Sequence, residues 1–350
     1  MGIYAVIMAG GTGTRLWPLS TEEEPKQIHR LTGDKSLFQE AVDRVKPFVG
    51  LNHILAVAGE NHRSKLQSQE PSMPLENFIV EPEGRGTAPC IGLAAAHLSK
   101  REPDSVMIVL TADHYIGDLE GFHSTLEAAV EAANSGYLVT LGIKPDEPST
   151  GYGYIRHGET VTKIREHDVL KVDKFTEKPD KETATEMFKS GNYSWNSGMF
   201  VWSAGRIMEE FQKYMPQLYS QLELIREAIG TENYNQVLME RWRQVPRQTI
   251  DYGVMEKADD VVVLPVDIEW SDLGSWSSVM DLFPRDEYNN AVKGEHIGID
   301  TEGSLIYGGE RLIATIGVKD LIIVDTRNAL LVCHKSMDQK VRDLVKSLQE

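Results

Sequence analysis

The stretch best suited to chemistry is Ala9-Gly10-Gly11-Thr12-Gly13-Thr14-Arg15, followed by Leu16-Trp17-Pro18-Leu19-Ser20 and Pro25-Lys26-Gln27. Glycines after a short apolar run let backbone N–H groups approach phosphate oxygens closely. Arg15 and Lys26 add two cations. Backbone donors plus two fixed cations suit a triphosphate attacked at its α-phosphorus. Two familiar phosphate loops do not fit. A dinucleotide fingerprint needs a third glycine where this chain has Leu16, and a P-loop needs a closing Gly-Lys-Ser/Thr that is absent here. The plain alternative is a tight turn with Arg15 and Lys26 in solvent. Asp113 follows an apolar strand, and Asp272 sits in a Trp/Gly-rich turn. Each aspartate, taken alone, is more often a helix cap or a turn residue than a metal ligand. His62, His97, His114 and His123 lack metal-ligand spacing, and Ser20 and Ser36 have no recognisable base. Trp17, Trp270 and Trp276 read as core or wall, and Glu22-Glu23-Glu24 as a solvated run.

These residues need a scaffold. Ile3 to Met8 is a continuous apolar run ended by glycines, which suits a strand buried on both faces. Helical spacing from Leu37 to Val45, with Ser36 as N-cap, comes next. Strands are expected at Ile54–Ala58, Phe78–Val80, Val106–Leu110 and Tyr137–Leu141, and helices at Ile91–Leu98 and Phe122–Ala133. This alternation predicts an α/β fold: an open sheet with helices on both faces. Further strands are expected at Gly151–Tyr154, Val172–Thr176, Met199–Trp202 and Val261–Pro265, and helices at Lys181–Lys189 and Ala204–Tyr214. After Pro284 come short apolar bursts: Ile297–Ile299, Ser304–Tyr307, Leu312–Ile316, Leu321–Val324 and Ala329–Val332. They predict a small β-rich, solenoid-like module closed by an amphipathic helix from Met337 to Leu348. Two domains are expected, residues 1–284 and a C-terminal 285–350.

The 350 residues carry 36 Lys+Arg against 53 Asp+Glu, a net charge of −17. A chain this acidic repels polyphosphate backbones, which argues against nucleic acid and anionic membranes as partners. Two distant cysteines, Cys90 and Cys333, make neither a disulfide framework nor a zinc set and fit a reducing cytoplasm. The N-terminus lacks a basic n-region, Val6 breaks the myristoylation pattern, and no apolar run approaches the ~20 residues of a membrane span.

Gly-Gly-x-Gly-Thr-Arg-Leu-Trp-Pro-Leu-Ser with Pro-Lys-Gln resembles the signature of the sugar-1-phosphate nucleotidyltransferases, in the wording of the mannose-1-phosphate guanylyltransferase branch. The resemblance continues, in the family's order, through Glu81-Pro82 with Arg85-Gly86-Thr87-Ala88-Pro89, Thr111-Ala112-Asp113-His114, Thr150-Gly151-Tyr152-Gly153-Tyr154-Ile155 and Phe175-Thr176-Glu177-Lys178-Pro179. Trp195-Asn196-Ser197-Gly198-Met199-Phe200, Ile250-Asp251-Tyr252-Gly253-Val254-Met255-Glu256 and Trp270-Ser271-Asp272-Leu273-Gly274-Ser275-Trp276 complete it. Ile28-His29 departs from the usual Phe-Leu and touches packing more than chemistry.

The resemblance implies a Rossmann-like mixed open sheet with helices on both faces in a catalytic domain over 1–284, and it implies roles. Arg15 and Lys26 would be catalytic. Ala9 to Thr14 (Ala9, Gly10, Gly11, Thr12, Gly13, Thr14), Glu81, Pro82, Arg85, Gly86, Thr87 and Asp113 would bind the nucleotide, with Arg85 alternatively a rim charge. Asp113 and Asp272 would hold Mg²⁺, with Mn²⁺ able to substitute. Gly151, Gly153, Glu177, Lys178 and Asn196 would bind the sugar phosphate. Glu177 could accept from vicinal hydroxyls, Lys178 hold the phosphate, and Asn196 donate and accept at once. Outside this context Glu177-Lys178-Pro179 is an ordinary strand exit, Asn196 an Asx-turn residue, and Gly151 and Gly153 loop glycines. The implied reaction is in-line attack of mannose 1-phosphate on the α-phosphorus of GTP, giving GDP-mannose and pyrophosphate. A sugar phosphate, with a second pKa of ~6, needs no general base, which fits the absence of a triad. Rival readings are a glucose-1-phosphate thymidylyl- or uridylyltransferase, a non-catalytic nucleotide-sugar sensor, and a bifunctional enzyme with an isomerase domain. The Trp-Pro-Leu-Ser wording weighs against the first and the intact Arg15, Lys26, Asp113 and Asp272 against the second. The ~65 residues beyond the catalytic part weigh against the third. A homodimer in the cytoplasm is expected.

Overall fold

Ile3–Met8 forms β1, and every residue from Tyr4 onward in it is buried. The computed structural model describes residues 1–11 and 13–349, so Thr12 of the expected phosphate loop lies outside the described residues. In chain order follow α1 (Leu37–Val49), β2 (Ile54–Gly59), α2 (Glu60–Gln69), β3 (Phe78–Glu81), α3 (Thr87–Arg101) and β4 (Val106–Thr111). Next come β5 (Tyr115–Ile116), α4 (Leu119–Asn134), β6 (Leu138–Ile143), β7 (Tyr154–Ile164), β8 (His167–Thr176), α5 (Lys181–Ser190) and β9 (Tyr193–Ser203). The chain continues through α6 (Ala204–Tyr214), α7 (Pro216–Ala228), α8 (Tyr234–Trp242), β10 (Val261–Val266), β11 (Trp270–Ser271) and α9 (Trp276–Asp281). Six short strands close it: β12 (Ala291–Lys293), β13 (His296–Ile299), β14 (Leu305–Tyr307), β15 (Ile313–Ile316), β16 (Leu321–Asp325) and β17 (Leu330–His334), then α10 (Val341–Gln349).

The chain folds into two compact units that interleave in sequence. The first gathers Met1–Gly10, Ala41–Ala112 and Ile116–Trp270. It carries one nine-stranded sheet in the order β3-β2-β1-β4-β9-β6-β10-β8-β7. β1 runs parallel to β2 and β4, whereas β9 lies antiparallel to both β4 and β6, so the sheet is mixed as expected. The order reverses between β1 and β4, and in open α/β sheets ligands bind beyond the strand carboxyl ends at such a point. The loop through Ala9 and Gly10 leaves β1 there, and the chain leaves β4 toward Asp113. The core packs α3, α6 and α7 on the sheet, with Leu93, Phe211 and Leu222 fully buried and Phe200 stacked on Trp202 at 5.1 Å.

The second unit gathers Gly11–Glu40, Asp113–Tyr115 and Ser271–Glu350. β12, β14 and β16 stack in parallel, β17 closes them antiparallel, and β13 pairs with β15 in a separate parallel sheet. The evenly spaced bursts therefore form a solenoid-like module, as their spacing predicts. Its core of Leu305, Ile322, Val324, Leu331 and Val341 also takes in Leu16, Leu31 and Leu37 from the N-terminal segment. Leu16 is fully buried there, so the turn bearing Arg15 is anchored by the C-terminal module's apolar interior. The Trp276 indole donates to the Trp17 carbonyl at 3.0 Å and reinforces that anchor.

Local expectations fare unevenly. Ser36 caps α1 as predicted: its Oγ accepts the Gln39 N–H at 3.2 Å, and the Gln39 side chain accepts the Ser36 N–H in return. Gly151–Gly153 is not strand. Gly151 donates to Ser149 Oγ in a turn, and the strand begins at Tyr154. The closing helix starts at Val341 rather than Met337. A 3₁₀ segment, Lys335–Lys340, precedes it, with Asp338 drawn inward to accept the Ser277 N–H at 3.1 Å.

Candidate active site

Gly13 takes the left-handed conformation (φ 61°), and a Cβ there would meet the Lys26 Cβ at 2.6 Å. Only glycine lets the two segments lie this close. The tight approach sets Thr14–Leu16 into a 3₁₀ turn carrying Arg15, while Lys26 opens a second such turn after Pro25.

Lys26 is 4% exposed, unusual for a lysine, and its ammonium is held in one direction. Nζ donates to Asp113 Oδ2 at 2.9 Å and to the Asp272 carbonyl at 2.5 Å. Arg15 Nη2 stands 4.0 Å from Asp272 Oδ2, and the other carboxylate oxygen of Asp272 accepts the Gly274 N–H at 2.9 Å. The two cations and two aspartates singled out from sequence therefore meet in one place within the second unit. Burial opposes ionisation of Asp113, but the Lys26 ammonium, His114 and hydrogen bonds outweigh it and hold the carboxyl below its usual range. The carboxylates of Asp113 and Asp272, the first bonded to Lys26 and the second beside Arg15, are a donor chemistry that fits a hard divalent cation completing its shell with phosphate and water. Among the described residues no cluster of three or more His, Cys, Asp or Glu side chains suited to a metal occurs.

The first unit holds the sugar-side candidates and the segment from Glu81 to Thr87. Glu177 and Lys178 leave β8 as a directly bonded ion pair, with Lys178 at φ 43°. The Asn196 backbone N–H donates to the Gly153 carbonyl at 2.8 Å, which fixes β9 beside the glycine turn. Tyr152 packs against Trp195 (4.8 Å between ring centroids) and Trp270 (5.3 Å), forming an aromatic wall next to it. Arg85 does not project as a rim charge: Nη1 donates to the Val245 carbonyl at 2.7 Å and Nη2 to Glu83 at 2.9 Å. Gly86 (φ 95°) lies against the Gln248 carbonyl with no room for a side chain. Thr87 opens α3, and its Oγ1 accepts the Ile250 N–H at 2.9 Å. Pro82 follows β3 directly, and Gly151 sits in the turn held by Ser149. A cavity of about 360 Å³ lined by Lys144, His157, Phe188, Tyr193 and Val266 includes none of these candidates.

Glu81 ends β3 with 5% exposure, and its Oε2 has no hydrogen-bond partner among the described residues. Burial pushes its carboxyl up to about 7. An acid whose folded pKa is raised weakens the fold as pH climbs from its ordinary value of 4.5 through 7, because the native state holds the proton longer. Glu81→Gln should therefore stabilise the protein by about 2–3 kcal/mol at pH 8 and by little at pH 4.5. Urea unfolding at the two pH values checks this; equal shifts at both would contradict it.

In the sequence Asp251 stands only as part of a motif, without a role. It begins a π-helical turn, Asp251–Met255, and its Oδ1 accepts the Asn196 Nδ2–H at 2.7 Å. Nothing in its sequence spacing ties it to Asn196, which lies 55 residues away.

The model of the family "Nucleotidyl transferase" matches residues 4–289, and that of "MannoseP isomerase/GMP-like beta-helix domain" matches residues 294–348. The chain is 40% identical over 99% of its length to the mannose-1-phosphate guanylyltransferase of Escherichia coli K12, covering 73% of that protein. A crystal structure from Thermus thermophilus, described as a mannose-1-phosphate geranyltransferase, superposes over 100% of both chains with TM-score 0.89 and 34% identity. A Helicobacter pylori structure described as a mannose-6-phosphate isomerase gives TM-score 0.63 and 25% identity over 77% of this chain and 100% of that one. The chain thus belongs to the nucleotidyl transferase family, as an enzyme of the group that includes the mannose-1-phosphate guanylyltransferases.

Proposed function

We propose that the protein transfers GMP from GTP to α-D-mannose 1-phosphate, releasing pyrophosphate and forming GDP-mannose. The observation that carries this reading is the Lys26 ammonium, buried between Asp113 and Asp272 with Arg15 alongside; the names of relatives at 40% identity support the choice of base and sugar. The sugar phosphate is its own nucleophile, so the chain's work is positioning and charge neutralisation. Arg15 and Lys26 hold the triphosphate and stabilise the leaving pyrophosphate, with the backbone of residues 9–14 as further donors. Glu81, Pro82, Arg85, Gly86 and Thr87 shape the nucleotide loop. Lys178 holds the sugar phosphate, Glu177 and Asn196 bind sugar hydroxyls, and Gly151 and Gly153 let the backbone close over the ring. Asp113 and Asp272 would hold Mg²⁺, or Mn²⁺ in its place, and the bound ion would neutralise charge on phosphate oxygens.

Residues 1–284 supply these groups, and residues 285–350 form a supporting module. No helix among the described residues is long and apolar enough to cross a membrane. A cytoplasmic homodimer is the corresponding assembly, which light scattering checks. Pyrophosphate release over a matrix of nucleoside triphosphates and hexose 1-phosphates, with and without Mg²⁺, tests the reaction. GTP with mannose 1-phosphate should exceed every other pair; faster turnover with dTTP or UTP and glucose 1-phosphate would overturn it.

A further inference from the structure

Gln248 to Asp251 touches two of the candidate groups at once. On one side, Gln248 N–H donates to the Arg85 carbonyl at 3.0 Å, its carbonyl accepts the Ala88 N–H at 3.2 Å, and Ile250 N–H donates to Thr87 Oγ1. On the other, the next residue, Asp251, holds the Asn196 amide at 2.7 Å. Asn196 Oδ1 meanwhile accepts the Gly198 N–H at 3.2 Å. These two bonds leave the amide a single orientation: oxygen toward Gly198, nitrogen toward Asp251, and the second Nδ2 hydrogen aimed by both.

The surroundings of Asp251 are acidic. Burial pushes its carboxyl up, while the Asn196 hydrogen bond and its own backbone pull the other way; Glu177 raises it further and Lys178 opposes. Glu256, at the end of the same turn, is also pushed up, by burial and then by Asp251 and Glu177. Lys178 and Lys257 are the cations acting on this acidic group, and Lys178 is bonded to Glu177. The hydrogen bond from the Asn196 amide favours the charged acceptor against these effects.

We infer that Asp251 is a positioning residue for the sugar phosphate: it fixes the Asn196 amide so that Asn196, and not Asp251, meets the sugar. The inference rests on the proposed transferase reading and assigns Asp251 to the sugar side although its neighbours in sequence brace the nucleotide loop. A role confined to bracing that loop would move the KM for GTP instead.

Steady-state kinetics on the full chain separates these outcomes. Asp251→Ala should raise the KM for mannose 1-phosphate about tenfold or more, the effect of losing a hydrogen bond to a charged acceptor, with the GTP KM changed less than about twofold. Asp251→Asn keeps an acceptor oxygen and should stay within about threefold of the parent. Asn196→Ala should raise the same KM, and adding Asp251→Ala to it should cost almost nothing further, because both remove one interaction. A GTP KM raised as much as or more than the mannose 1-phosphate KM, or additive effects in the double variant, would overturn the inference. Should Asp251→Ala fail to fold, Asp251→Ser, too short to reach Asn196, is read by the same criteria. A parent protein that turns over no hexose 1-phosphate would remove the underlying reading itself, whereas an active parent with the wrong KM pattern removes only this inference.

Discussion

Replacing Lys26 by methionine should lower kcat about 10³-fold with the protein still folded. The expectation follows from where the charge sits. The Lys26 ammonium bonds Asp113 Oδ2 and the Asp272 carbonyl at nearly full burial, so no solvent cation takes over its position. Deleting one preorganised donor from a site where charge develops typically costs 10²–10³-fold, and a full positive charge facing a leaving pyrophosphate belongs at the upper end or beyond (about 10³). Asp113 would then face Asp272 without its cation. Because the Asp113 side chain is 37% exposed, solvent screens that loss and stability should fall by only about 1–2 kcal/mol. Lys26→Arg should not rescue. The Lys26 side chain lies against Gly13, and a wider guanidinium fork cannot keep both short bonds from the same point. Single-turnover measurement of pyrophosphate release, with thermal unfolding alongside, checks both halves. Turnover within tenfold of the parent would remove Lys26 from the chemistry.

Asp272→Asn should cost about 10²–10³-fold in kcat and raise the half-saturating Mg²⁺ concentration at least about tenfold. The substitution is gentle on the fold. An asparagine oxygen can still accept the Gly274 N–H, and the Asp272 carbonyl that receives Lys26 is backbone. What disappears is the negative charge 4.0 Å from Arg15. The unfolding temperature should therefore stay close to the parent's while activity and metal dependence change together. Near-normal turnover, or lost turnover with an unaltered Mg²⁺ titration, would contradict the proposed metal role.

Much of this can be read from the residues because the relevant signals are local. β1 is an unbroken apolar run, Ser36 stands where a capping side chain must, and Gly13 precedes a turn that only a left-handed residue can enter. The family wording then supplies the pairing of Arg15 and Lys26 with Asp113 and Asp272, which the fold brings together across more than two hundred residues. Long-range packing is not legible in the same way. No periodicity announces that Leu16 is buried in the core of the C-terminal strands, so the dependence of the Arg15 turn on that module emerges only from the structure. α2 gives no sequence signal because Leu66 is its only buried residue and it lacks an apolar stripe. Asp251 illustrates the same gap at a functional position: its motif is visible, but the hydrogen bond to Asn196 joins positions that no spacing rule connects.

The most direct measurement is a crystal structure of the protein with a non-hydrolysable GTP analogue, mannose 1-phosphate and Mg²⁺. The triphosphate should lie with its α-phosphorus between Arg15 and Lys26, and the ion should rest on Asp113 and Asp272. A nucleotide bound elsewhere, with those four side chains still locked only onto one another, would contradict the account.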